Sequence, residues 1–69
     1  MNQDLFEIIT ELTLKQDESY YDHDYGHNRF EIVNDISLLE VVEKIDRFNK
    51  QYGRKIVPKI VDNHMFIYL

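Results

Sequence analysis

The sequence predicts an α+β fold: a small, mostly antiparallel sheet of three or four strands, one amphipathic helix packed on it over about 37–52, and an N-terminal helix over about 4–16. Three observations predict it. A helix-capping sequence opens a run of apolar residues at helical spacing. An alternating segment precedes that run, and two alternating segments flanking a turn follow it. A chain of 69 residues holds one domain and not two, so the domain is 1–69.

At the N-terminus, Asp4 with Glu7 three places on makes a cap, and Leu5, Ile8, Ile9, Leu12 and Tyr20 fall on one helical face. Glu11 and Lys15 form a supportive i,i+4 pair. A strand is the rival, since Phe6, Ile8, Thr10, Leu12 and Leu14 alternate with mostly polar residues, and Leu14 fits it better. The cap and the ion-pair spacing favour the helix. Residues 19–28 read as a loop, and 29–34 as a strand with Phe30 and Ile32 on one side.

The helix over 37–52 is the best specified. Ser37 and Glu40 form a capping box, in which each side chain satisfies an orphan backbone donor. Leu38, Val41, Val42, Ile45, Phe48 and Tyr52 make one apolar stripe, and Gly53 supplies the left-handed residue that ends it. Beyond it, Asp62 and Asn63 tolerate positive φ and suit a two-residue hairpin turn. That register pairs Val61 with His64, Ile60 with Met65, Pro58 with Ile67 and Ile56 with Leu69, and puts the last three pairs on a core face. Pro58 cannot donate to a ladder, so its strand belongs at an edge, with 64–69 nearer the middle. The opposite face holds Val57, Val61, Phe66 and Tyr68, too apolar for bare solvent. The first helix packs there, or the face meets a partner.

Charge is divided unevenly. Residues 1–43 hold eleven acids against two bases, Lys15 and Arg29; residues 44–69 hold six bases against two acids, giving −5 overall. Such a surface favours solubility and steers toward basic partners. The chain has no cysteine, so it can have neither a disulfide nor a thiolate metal site. No apolar run reaches the ~20 residues that a membrane span needs. A cytoplasmic location without membrane association is expected.

Candidate chemistry is sparse. Ser37 is a helix cap, only two glycines exist, and no phosphate loop or zinc spacing is present, so no catalytic residue and no cofactor are expected. Asp22, His23, Asp24 and His27 are the alternative, as a metal set, because imidazole and carboxylate crowd together there. Lys44, Arg47, Lys50, Arg54, Lys55 and Lys59 would form a basic stripe. Interleaved acids and the net negative charge argue against nucleic acid as its ligand, and a second copy of the chain is another fit.

The favoured function is protein binding: a small non-catalytic inhibitor or adaptor that occludes a basic, nucleic-acid-binding surface of a larger protein. Its contacts would be Asp17, Glu18, Tyr20, Tyr21 and Asp22, then Asp24 and Tyr25, with Phe66 and Tyr68 as anchors. In size, acidity and lack of catalytic motifs the chain is similar to phage anti-defence inhibitors and bacterial immunity proteins. That likeness is one of composition and transfers no residue roles.

Overall fold

Residues 3–23 and 26–69 are described by the computed structural model, Asp22 by its backbone. Among them are two helices and four strands: α1 (Gln3–Glu11), β1 (Leu14–Asp22), β2 (His27–Ile32), α2 (Leu38–Tyr52), β3 (Lys59–Val61) and β4 (His64–Tyr68). The strands form one sheet in the order β1-β2-β4-β3, with every neighbouring pair antiparallel. The predicted class holds, with four strands.

The first helix is shorter than its periodicity suggests. Leu12 N–H still donates to the Ile8 carbonyl, at 3.1 Å, but Thr13 takes a left-handed backbone at φ 51° and its N–H bonds the Thr10 carbonyl. That conformation is costly for a residue with a Cβ and ends the helix. Leu14, the residue that fitted a helix worst, begins β1 and stands opposite Ile32. The loop expected over 19–28 is therefore mostly strand, with the two arms of a hairpin running to Asp22 and from His27. Polarity hid β1. It is an edge strand, and only Leu14 reaches the core.

The second helix follows the sequence closely. The Ser37 side chain accepts from the Glu40 N–H at 3.2 Å, and Gly53 closes the helix at φ 64°. Val41, Ile45 and Phe48 are buried, together with Ile8 of α1, Leu12 just past its end, Ile32 of β2 and Ile67 of β4. Both helices thus share one face of the sheet. The expectation that the first helix covers the other face is overturned: Ile8 and Leu12 are buried in the same cluster as α2, and together the two helices screen one side of the sheet.

The C-terminal hairpin has the predicted turn. Asp62 and Asn63 have φ of 50° and 66°, and Val61 faces His64 and Ile60 faces Met65. The outer two pairs of the predicted register do not form, because β3 has only three residues. Asn49 of α2 holds the chain before it: its Nδ2 donates to the Ile56 carbonyl at 2.8 Å, and its Oδ1 accepts from the Ile56 N–H at 3.1 Å. Ile56 is thereby tied to the helix rather than to the sheet, and packs against the core. Ile60, predicted inside, is 59% exposed at the sheet edge.

Candidate functional site

Cross-strand neighbours in an antiparallel sheet share a face. The pairs Asp17 with Arg29, Arg29 with Tyr68 and Glu31 with Phe66 therefore lie on the face away from the helices. There Arg29 occupies the centre of β2, one of the two inner strands. Its guanidinium carbon sits 4.3 Å from the Tyr20 ring centroid and 4.4 Å from that of Phe66. Asp17 fixes it from the edge: Oδ2 accepts from Nε at 3.1 Å and from Nη2 at 2.5 Å. Oδ1 of the same carboxylate accepts from the Ser19 hydroxyl at 2.6 Å. The hydroxyl first, and the guanidinium next, hold the Asp17 carboxyl below the usual aspartate range.

A bulge delivers Tyr20. Asp17 faces Arg29, yet Tyr21 faces Asn28, so residues 18–20 are extra on the β1 side. Such an insertion twists a strand and re-aims its side chains. Tyr20 meets Tyr68 edge-on at 5.7 Å, and Lys59 Nζ lies 5.2 Å from the Tyr68 ring. His64 contacts Glu31 at 3.2 Å at the far side of the same face. The second face is thus covered by its own side chains: one planar cation between two rings shields apolar surface that the sequence left unexplained.

The predicted contact residues divide into three groups. Asp17, Tyr20, Phe66 and Tyr68 come together around Arg29, which the sequence reading does not place among the contact residues. Its signal was being one of two bases in an acidic stretch. Asp17 is paired within the molecule and Phe66 is buried, so both build the platform and neither stands free on it. Glu18 and Tyr21 are exposed on β1, and the Tyr21 ring stands edge-on to His23 at 4.9 Å. Asp24 and Tyr25 fall outside the described residues, as does the side chain of Asp22.

The metal alternative included Asp24, which lies outside the described residues; among those described, no group of three or more His, Cys, Asp or Glu is placed to hold a metal ion. Half of the expected basic stripe is taken up by pairing within the molecule. Arg54 bonds Asp4 through Nε at 2.8 Å and Nη2 at 3.0 Å, Lys44 meets Glu11, and Lys50 meets Asp46. Arg54 holds the Asp4 carboxyl below its usual range. Tyr52 donates a hydrogen bond to Glu7, a further tie between the helices.

A second surface was missed. Leu38 and Val42 of α2, with Val57, Pro58 and Ile60 of the following segment, line an open apolar groove beside β3. The stripe on α2 is wider than its cover. At 100° per residue, Val41, Ile45, Phe48 and Tyr52 fall within about 60° of arc, and Leu38 and Val42 lie roughly 50° and 90° from its centre. That offset is readable in the sequence, although the six residues together make one apolar stripe.

Among the described residues, no helix is long and apolar enough to cross a membrane. Comparison with protein-family models, curated proteins and solved structures gives no match.

Proposed function

We propose that this chain is a non-catalytic protein-binding module, a small inhibitor or adaptor that uses the sheet face away from the helices and the β1–β2 hairpin to occlude a basic surface of a larger protein. The observation that carries the proposal is the Tyr20, Arg29 and Phe66 stack pinned by Asp17. It makes a rigid aromatic surface on the side of the sheet that the helices leave open. A surface ordered before binding loses less conformational entropy in the complex. Tyr20 and Tyr68 offer broad contact, Glu18 and Tyr21 stand exposed beside them, and Asp22 and Asp24 add charge to the hairpin sequence. A net charge of −5 would speed encounter with a cationic target.

The test is affinity capture from lysate with the full chain as bait, alongside a bait carrying Glu18→Lys and Tyr21→Ala. Both sites are exposed, so far-UV circular dichroism should be unchanged. The wild-type bait should retain a basic protein at low salt and release it near roughly 0.5 M salt, where the Debye length is about 4 Å. The double variant should retain none. Equal retention by both baits, or no salt-sensitive partner, would remove the proposal.

A further inference from the structure

We propose that the free edge of β3 and the groove beside it form the interface of a two-fold dimer, the occupant being a second copy of this chain. The argument begins with backbone geometry. In a two-residue hairpin the residues flanking the turn exchange both hydrogen bonds, here Val61 and His64. The N–H and C=O of Ile60 therefore point away from β4, and no other strand of the sheet lies on that side. Among the described residues no strand pairs with Ile60 on that edge, and its side chain is 59% exposed.

A two-fold axis perpendicular to the sheet at Ile60 satisfies these features together. The two β3 strands then run antiparallel, and the Ile60 pair exchanges two backbone bonds. Helices stay on the same side in both copies, because rotation about that axis keeps the faces. Ile60 shares a face with Met65, which packs toward the helices, so the two Ile60 side chains meet on the helix side. Each groove, with Leu38 and Val42 on its wall, then opens onto its counterpart across the seam. In this register Pro58 stands opposite Asp62 of the other copy. Lys59 stands opposite Val61 of the other copy on the face away from the helices, and each such pair forms twice.

The two edges of the sheet differ in a way that favours a closed pair over a filament. The β1 edge is interrupted by the bulge at residues 18–20 and carries Lys15 and Glu18. Pro58 lacks an N–H, so a strand added at β3 can gain few bonds beyond Lys59–Val61. An isologous contact at one short edge closes on itself.

Sedimentation equilibrium of the full chain, from micromolar to sub-millimolar concentration, tests the proposal. Wild type should reach the dimer mass. Ile60→Lys should weaken the dimer by roughly a hundredfold, since two largely exposed isoleucines lose their burial. Val42→Glu should weaken it too. Both sites are exposed in the monomer, so circular dichroism should not change. In hydrogen exchange, the Ile60 amide should be protected in wild type at high concentration and open in Ile60→Lys. The Glu18→Lys, Tyr21→Ala variant should dimerise normally, which separates this proposal from the partner-binding one. A wild-type monomer throughout, or a dimer indifferent to both groove substitutions, would overturn it.

Discussion

Arg29 shows how one side chain can do what a layer of structure does elsewhere. The far side of the sheet holds Phe66, Tyr68 and Tyr20, and no helix among the described residues covers them; the Arg29 guanidinium lies against two of the rings. Lysine has the charge but not the plane, so the arrangement depends on arginine in particular. Arg29→Lys should lower the melting temperature by about 5 °C and reduce the near-UV tyrosine signal, because Tyr20 loses its stacking partner. Asp17→Asn should lower it less, since it weakens the tether and leaves the stack. Equal melting of wild type and Arg29→Lys would mean that the rings pack without the cation. No periodicity could have announced this feature. Arg29 and Asp17 are twelve positions apart, and a bulge brings Tyr20 to them.

At the scale of elements, legibility followed local chemistry. The second helix was readable because its cap, stripe and terminator are each written within a few residues. Ser37→Ala should cost about 1 kcal/mol in urea unfolding, and Ser37→Asp should restore most of it. Gly53→Ala should cost about 1 kcal/mol through left-handed strain alone, since an added Cβ at that site would touch nothing. The Asp62 and Asn63 turn was equally local and correct in register. What failed were features set by distant neighbours. The end of α1 and the polar strand β1 depend on pairing with β2, and the short β3 depends on Asn49 drawing Ile56 to the helix. The candidate site was legible in part: Tyr20, Phe66 and Tyr68 were named as contacts, while their organiser Arg29 and the groove at Leu38 and Val42 were not. The place of α1 in the core carries its own prediction. Ile8 is fully buried, so Ile8→Ala should cost about 3 kcal/mol. That approaches the whole stability of roughly 3–5 kcal/mol expected for a domain this small, and the variant should be partly unfolded at room temperature.

At the scale of the whole molecule, two arginine–carboxylate pairs among the described residues join separate elements. Asp4 to Arg54 ties the start of α1 to the end of α2, and Asp17 to Arg29 ties β1 to β2. Both carboxyls are held below the ordinary aspartate value of 3.8, Asp4 chiefly by the Arg54 hydrogen bond and Asp17 chiefly by the Ser19 hydroxyl and then Arg29. A carboxyl with a depressed folded-state pKa binds its proton less readily when folded than when unfolded. Its stabilisation is complete above the unfolded pKa and is lost as pH falls through the folded one. The opposing effect is global. The net charge of −5 repels itself at neutral pH, and partial protonation relieves that strain first. Urea midpoints should therefore stay level or rise slightly from pH 7 to about 5 at low salt, and fall steeply below about pH 4. Added salt should flatten the first limb, because exposed charges are screened. The variant with Asp4→Asn and Asp17→Asn should be less stable at pH 7 and lose less on acidification. A variant as steep below pH 4 as wild type would assign acid unfolding to the other carboxylates and leave these two pairs no part in the pH dependence.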